Sequence, residues 1–305
     1  MSESPFVPSG EQVELVHGDQ QAVVVGVGGG LRRYSVGGRA VLDGYDPGEL
    51  CPSGRGQLLA PWPNRIEDGS YEFAGHTYQL ALDEPERRSA IHGLVRWAEW
   101  SVAEHSPERV VLEHTLYPTP GYPFALDLQV EYELGEGGLS VRVEATNIGV
   151  EPCPYGAGQH PYLAVEADWV DDVELQVPAA TVLESNERGL PVGASPVAAE
   201  LDFRDARTIG TTVLDHCFTG LVRDSDGRAR VRLGETTLWV DGSWPYVMVF
   251  TGDPLPDVAR RSAAVEPMTC APNAFRSGDG LIVLEPGETH SGSWGITPQS
   301  PRARA

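Results

Sequence analysis

The chain has 305 residues, of which 41% are apolar and 22% are charged, proportions that are ordinary for a globular protein. Its formal net charge of -22 comes from 44 acidic and 22 basic residues, and every basic residue is an arginine because the sequence contains no lysine. This charge repels phosphate backbones, so nucleic acid is not expected as a partner, whereas a neutral small molecule is not disfavoured.

The sequence shows no signal for a membrane or for secretion. Its first residues have neither a basic segment nor an apolar core, and no apolar run approaches the roughly 18 residues that a membrane helix needs. The four cysteines are far apart and form no CxxC pair, at Cys51, Cys153, Cys217 and Cys270. We therefore expect a cytoplasmic protein with free thiols, no metal site and no membrane partner.

Alternation of apolar and polar residues with a period of two predicts strands along the whole chain. Between residues 124 and 134 the even positions are apolar, and after the turn at 135–138 the odd positions of 139–146 are apolar, so the two segments predict a β-hairpin. Further strands are predicted at 21–27, 32–36, 71–73, 78–82, 109–116, 173–177, 230–233, 236–240, 246–251 and 281–284.

These patterns predict an all-β protein built from two large packed antiparallel sheets, because no long segment has the 3.6-residue period of a helix. The segment 246–250 is apolar throughout, which predicts a strand covered on both faces. No linker divides the chain, so residues 1–305 are expected to form one domain, with a core at about 11–296 and a frayed tail at 297–305.

Two of the eight histidines lie in segments that suit chemistry. His92 precedes Gly93, and His160 lies between Gln159 and Pro161 in a glycine-rich stretch. Glycine permits close backbone approach and proline stiffens the chain, so an imidazole held there is a candidate general acid. The alternative for each is a histidine that caps a turn.

Five other residues are candidates for binding a sugar-like substrate or reacting with it. Glu266 follows an apolar pair at the end of a probable strand, where partial desolvation would raise its basicity, although a charge at a sheet edge explains it as well. Asn64 and Arg65 follow Trp62, which combines hydroxyl-binding groups with an indole face, and Asp215 supplies another carboxylate. A core position for Trp62 is the alternative, and Trp97 and Trp100 are assigned to the core.

Taken in order, eight segments resemble the aldose 1-epimerase (galactose mutarotase) family. They are GQLLAPWPNRI (56–66), GSYEFAG (69–75), AIHGL (90–94), GQHPY (158–162), LDHCF (214–218), VEPMT (265–269), PNAF (272–275) and LEPGE (284–288). No single segment is decisive, but the set in this order and spacing is specific and spans nearly the whole core.

The resemblance implies a large antiparallel β-sandwich, the galactose mutarotase-like supersandwich, with a groove on one sheet and no cofactor. It implies that Glu266 is the base and His160 the acid that open and reclose a free aldohexose ring of the glucose or galactose class. His92, Arg65 and Asp215 would bind the sugar. The chain departs from the galactose-active pattern after Gly93 and after Glu266, which leaves the sugar open, and a monomer or a homodimer is expected.

Three rival functions stay open at this point. A hexose-6-phosphate epimerase on the same fold would use Arg55, Arg65 and Arg96 around the phosphate, although the net charge of -22 disfavours it. A non-catalytic carbohydrate-binding protein would be expected to have lost the base or the acid. A glycosidase would need two carboxylates that flank the scissile bond, which a glutamate and histidine pair does not supply.

Overall fold

The computed structural model of the protein describes residues 6–256 and 258–298. Its regular structure is almost entirely β, as predicted. In chain order the strands are β1 Gln12–His17, β2 Gln20–Val25, β3 Leu31–Val36, β4 Arg39–Ala40, β5 Leu58–Leu59, β6 Arg65–Glu67, β7 Ser70–Phe73, β8 His76–Gln79, β9 Ser89–Ile91, β10 Ser101–His105, β11 Arg109–Leu116, β12 Leu126–Gly135, β13 Gly138–Asn147, β14 Cys153–Tyr155, β15 Gly158–Gln159, β16 Tyr162–Ala164, β17 Glu174–Gln176, β18 Ala179–Ser185, β19 Pro191–Pro196, β20 Arg207–Thr208, β21 Asp215–Leu221, β22 Ala229–Leu233, β23 Thr236–Val240, β24 Tyr246–Phe250, β25 Ser262–Met268, β26 Ile282–Leu284 and β27 Thr289–Pro298.

Helical structure is confined to short segments. One α-helical turn, α1, covers Ala274–Ser277, and 3₁₀ turns occur at Pro52–Gly54, Pro85–Arg87, Val170–Asp172 and Ala199–Leu201. Within the described ranges, no helix combines the length and the apolar character required to cross a bilayer.

Two large antiparallel sheets form the body of the fold. The first has nine strands in the order β10-β11-β12-β13-β27-β23-β22-β17-β20. The second has the order β19-β18-β21-β24-β25-β15-β5, and β16 completes it as an eighth strand that also pairs with β25. A four-stranded sheet, β1 to β4, precedes them in the chain, and three two-stranded pairs lie outside them, β6 with β9, β7 with β8 and β14 with β26.

The core lies between the apolar faces of these two sheets. Val130 and Tyr132 of β12, Val249 of β24 and Val265 of β25 belong to one continuous buried cluster. A buried hydrogen bond also crosses this layer, since the Gln159 side-chain amide donates to the Tyr132 hydroxyl at 2.6 Å. The second sheet is therefore fixed against the first directly beside the segment that contains His160.

The structure confirms the predicted hairpin and refines two other expectations. Strands β12 and β13 pair in unbroken register from Leu126 with Asn147 to Gly135 with Gly138. The segment 246–250 is a central strand buried on both faces: one face contacts the main core, whereas Met248 on the other face packs in a smaller apolar cluster beside a groove. Residues 297 and 298 of the expected frayed tail belong to β27, and 299–305 lie outside the described residues.

Candidate active site

Strand β25 carries Glu266 in the middle of the second sheet. All seven residues of β25 are buried, which is why its sequence shows no alternation. On one side β25 pairs with β24, where Met248 is the direct partner of Glu266. Side chains of paired residues point to the same face of a sheet, so Glu266 and Met248 both face the groove.

On its other side β25 pairs with two short strands that are separated by a gap. Strand β15 pairs with Met268 and β16 pairs with Ala264, the residues two places to either side of Glu266. His160 lies midway between those two pairing positions on its own chain, so this register places it opposite Glu266. The sheet therefore brings together two residues that are distant in the sequence.

The two side chains meet at the floor of the groove. Nε2 of His160 lies 3.4 Å from Oε1 of Glu266, and both side chains are less than a tenth exposed. The Tyr162 ring is stacked on the imidazole at a centroid distance of 5.0 Å, and the Arg55 guanidinium lies 4.2 Å from the Tyr162 centroid. The groove has a volume of about 580 Å³, within the range of ligand-binding clefts.

Arg65, Asn64 and His92 form one wall through backbone contacts. Strand β6 begins at Arg65 and pairs with β9, which ends just before His92. The His92 amide donates to the Asn64 carbonyl at 2.8 Å, and both residues have positive φ. Gly93 is required next to them, because a Cβ there would lie 2.0 Å from the carbonyl oxygen of Ala60.

Asp215 enters the groove from the neighbouring strand. It is the first residue of β21, where it pairs with Phe250 of β24, and Cys217 pairs with Met248 in the next cross-strand row of that face. Asp215, Phe250 and Met248 all line the groove together with Glu266. A second carboxylate therefore lies on the same sheet face as the histidine and glutamate pair.

Burial dominates the electrostatics of Glu266. Removal from water raises the pKa of its carboxyl well above the usual value, the negative charge of Asp215 acts in the same direction, and Arg65 opposes both. A buried carboxyl with a raised pKa is suited to hold or accept a proton near neutral pH.

Burial also controls the two histidines. It lowers the pKa of His160 to about 3, and the positive charges of Arg55, Arg96 and Arg65 act in the same direction. It also lowers the pKa of His92 well below the usual value, with His160 as the next contributor; the two rings lie 5.4 Å apart in a T-shaped arrangement. Burial thus favours the uncharged form of both imidazoles at neutral pH.

Several polar atoms in the groove lack a protein partner. Oε2 of Glu266 and Nδ1 of His92 are buried, and neither has a hydrogen-bond partner among the described residues. Buried polar groups are normally satisfied, so such atoms point to a bound polar molecule or water. Together with the contacting side chains of His160 and Glu266, these atoms offer positions at which one hydroxylated molecule would donate and accept hydrogen bonds.

The structure places the candidate aromatic residues differently from the sequence analysis. Trp62 is only 2% exposed and packs edge-on against Phe275 at 5.6 Å, so the proposed stacking of a sugar on Trp62 is not available. Trp97, assigned to the core, is 47% exposed and lines the groove, whereas Trp100 is buried as expected. Trp62 is thus a core residue, and Trp97 is the indole that lines the groove.

Sequence reasoning did not identify as site residues Tyr162, Arg96 and Glu84, which line the groove, or Arg55, which contacts Tyr162. The Tyr162 ring stacks on His160, the Arg96 guanidinium lies 5.4 Å from the Trp97 centroid, and Glu84 contacts Arg65. From the sequence, Arg55 and Arg96 are candidates only as phosphate ligands, and Tyr162 only as part of the GQHPY segment. Glu84 lies in an acidic, proline-containing loop that has the pattern of an ordinary surface turn, so no local signal marks it.

Comparisons with known proteins agree with this architecture. The family model described as Aldose 1-epimerase matches residues 11–297. The uncharacterized protein YihR of Escherichia coli K12 is 38% identical over 291 residues, which cover 92% of this chain and 91% of that protein. The uncharacterized protein YphB of the same organism is 26% identical over 244 residues, or 76% and 79% of the two chains.

Solved structures show the same fold at low sequence identity. A GalM/aldose epimerase homologue from C. elegans superposes with a TM-score of 0.83 at 17% identity, covering 95% of this chain and 99% of that one. Galactose 1-epimerase from Lactobacillus acidophilus superposes with a TM-score of 0.78 at 20% identity, covering 95% of each chain. With the family model matched over nearly its whole length and a relative at 38% identity, the chain belongs to the aldose 1-epimerase family.

Proposed function

We propose that the protein is an aldose 1-epimerase that interconverts the α and β anomers of a free aldohexose. The observation that carries the proposal is the buried contact of 3.4 Å between His160 and Glu266 at the floor of a groove. Mutarotation requires one group that takes a proton from the C1 hydroxyl and one that gives a proton to the ring oxygen. A carboxyl and an imidazole side by side can serve both needs on one sugar.

The proposed reaction consists of two proton transfers. Glu266 as carboxylate takes the proton of the C1 hydroxyl while His160 as imidazolium protonates the ring oxygen O5, and the C1–O5 bond breaks to give the open aldehyde. Rotation about C1–C2 turns the other carbonyl face toward O5. The ring then closes as Glu266 gives its proton to the carbonyl oxygen on C1 and His160 takes the proton back from the O5 hydroxyl, so the enzyme ends in its starting state.

This scheme needs one proton on the pair. A carboxylic acid beside a neutral imidazole and a carboxylate beside an imidazolium contain the same number of protons, so they differ only in where one proton resides. Burial disfavours charge and supports the uncharged arrangement before a sugar binds. We infer that sugar hydroxyls in the groove stabilise the charged arrangement, in which His160 can act as the acid.

The remaining groove residues are proposed to hold the sugar. Arg65 offers the N–H groups that its pair with Glu84 leaves over, and Asp215 offers an acceptor. The neutral His92 offers a ring nitrogen that has no hydrogen-bond partner among the described residues. Asn64 lines the same wall, although its side-chain oxygen already accepts the Arg65 amide at 2.9 Å. Trp97 replaces Trp62 as the proposed indole face for the sugar.

The phosphorylated-sugar alternative is less well supported. Its three candidate arginines all have a carboxylate partner within 3.1 Å: Arg55 with Asp43, Arg65 with Glu84 and Arg96 with Asp83. A phosphate would have to displace or share these partners, whereas the hydroxyls of a neutral sugar would not. The presence of both proton-transferring groups likewise disfavours a protein that only binds carbohydrate.

Polarimetry tests the proposal directly. Freshly dissolved α-D-glucose and α-D-galactose should reach anomeric equilibrium faster with the purified protein than without it. The Glu266→Gln substitution should abolish most of this acceleration. Glucose 6-phosphate is measured in parallel. No acceleration of either free sugar at micromolar protein would refute the proposal, and acceleration of the phosphate alone would favour the alternative.

A further inference from the structure

Arg65 does not enter the groove as a free cation, because Glu84 holds it. Arg65 Nε donates to Glu84 Oε2 at 2.6 Å and Nη2 donates to Oε1 at 2.8 Å, which is the side-by-side geometry of a strong guanidinium–carboxylate pair. Both side chains are largely buried, at 10% and 14% exposed. Removing one partner of a buried pair with this geometry is costly, because the other charge is left buried and uncompensated.

The backbone fixes Glu84 in front of Arg65. Glu84 exchanges two backbone hydrogen bonds of 3.1 Å with Ser89, the first residue of β9. Strand β9 is paired with β6, which begins at Arg65. The carboxylate therefore stands on a segment attached to the strand beside Arg65.

A second segment packs against the guanidinium of Arg65. Gly189, at the tip of the hairpin between β18 and β19, has φ of +71°, and a Cβ there would lie 2.8 Å from Nη1 of Arg65 and 2.6 Å from Nη1 of Arg87. This tip packs directly on the guanidinium groups. Arg65 is thus confined between Glu84 and the hairpin, with little freedom to adopt another rotamer.

The charge of Arg65 acts on the reacting pair. Its positive charge opposes the rise in the pKa of Glu266 and adds to the fall in the pKa of His160. The charged and titratable groups that face Arg65 or Glu266 are Glu84, Asp215, His160, His92, Arg87, Tyr162 and Cys217. Within this set Glu84 is the carboxylate bonded to both arms of the Arg65 fork.

We propose that Glu84 is a positioning residue of the site, which holds the Arg65 fork toward the groove and offsets its charge beside Glu266. The effect on catalysis rests on the proposed mutarotase function, but the effect on Arg65 and Glu266 does not. In Glu84→Gln protein one uncompensated positive charge would remain next to Glu266, and the bidentate grip would be lost.

The test begins in the absence of sugar. The ¹³C-labelled side-chain carboxyl of Glu266, assigned by its loss in Glu266→Gln protein, is titrated by NMR in wild type, Glu84→Gln and Glu67→Gln. Glu67 is the matched control, because it is a partly buried glutamate on β6 whose arginine partners, Arg188 and Arg276, lie outside the groove lining. We expect the titration midpoint of Glu266 to move to lower pH in Glu84→Gln only.

Glu84→Asp separates charge from reach. Aspartate keeps the negative charge but is one carbon shorter, so it should return the Glu266 midpoint toward wild type without restoring the two-armed contact. If Glu84→Gln does not fold, as judged by circular dichroism and melting, the aspartate variant and the Arg65→Lys variant carry the test. An unchanged Glu266 midpoint in Glu84→Gln, or an equal shift in Glu67→Gln, would overturn the proposal.

Kinetics supply the second readout. We expect Glu84→Gln to raise the KM for the sugar by on the order of tenfold, as for one lost charge-assisted hydrogen bond. Its effect should be strongly non-additive with that of Arg65→Lys, since both act through one contact. Additive effects would contradict action through Arg65. If the wild-type protein mutarotates no sugar, the proposed function fails, while the NMR titration still decides the role of Glu84.

Discussion

Replacing Glu266 by glutamine should remove activity and at the same time change how stability depends on pH. Each proton-transferring group contributes roughly 10²–10⁴-fold to such a reaction, which corresponds to about 2.7–5.4 kcal/mol of transition-state stabilisation. Glu266 is buried and its pKa is raised in the folded protein, so its ionised form is disfavoured there. Glutamine has a similar shape and cannot ionise, so the variant lacks this pH-dependent cost.

The direction in which stability changes with pH follows from the pKa of Glu266 in the unfolded chain and its pKa in the folded protein. In the unfolded chain the group loses its proton near pH 4.3, whereas in the folded protein it keeps the proton to a higher pH. Between those values wild-type stability falls as pH rises, by up to about 1.36 kcal/mol per pH unit. The lowered pKa of His160 works in the opposite sense only below its unfolded value near pH 6.5, so the slope between pH 7 and 8 is set mainly by Glu266.

Urea unfolding followed by tryptophan fluorescence at pH 5, 6, 7 and 8 measures this effect. The free energy of unfolding of Glu266→Gln minus that of wild type should increase with pH from about pH 5 and level off once the folded pKa is passed. Comparing the slope avoids the fixed cost of placing an amide beside His160. A difference that is constant from pH 5 to 8 would show that Glu266 titrates normally, and the argument from burial would be wrong.

Four further outcomes are expected. His160→Ala should lower kcat by roughly 10²–10⁴-fold without unfolding the protein, and near-normal turnover would exclude His160 as the acid. Asp215→Asn should mainly raise the KM for the sugar in initial-rate polarimetry, so an unchanged KM would remove Asp215 from the site. The profile of kcat/KM against pH should be bell-shaped, since activity requires one proton on the pair and declines when a second binds or the last one leaves; a flat profile from pH 4 to 10 would contradict a shared proton. Trp62→Ala should cost about 3–5 kcal/mol of unfolding free energy, whereas Trp97→Ala should change it by less than about 0.5 kcal/mol and raise KM, and the reverse pattern would restore the original assignment.

The sequence predicted the fold class because much of the chain alternates in the simple way that a half-buried sheet requires. The β12–β13 hairpin is the clearest case, since its apolar positions form one buried face from end to end. Strand β25 is the opposite case, because all of its residues are buried. One of its faces contacts the core and the other forms part of the floor of the groove. Glu266 was expected at the end of a strand and is instead the fifth of the seven residues of β25.

The meeting of the site residues was not predictable from local pattern. The contact between His160 and Glu266 depends on how β15, β16 and β25 pair, and register between distant strands is set by the whole sheet. The exchange of roles between Trp62 and Trp97 has the same origin, because an indole in a loop gives no local sign of which way it faces. Only the family resemblance, which records pairings that segments alone do not, pointed to His160 and Glu266 as a pair.

The cross-strand alignment that sets His160 against Glu266 also links the chemistry to correct folding. A slip of one residue along β25 would exchange its two faces, so the carboxyl of Glu266 would enter the apolar layer and Val265 would turn toward the groove. Mispaired chains would thus bear the cost of an ionisable group in the wrong place. The residue that we propose as the base would therefore also help the polypeptide to distinguish its native arrangement from the nearest wrong one.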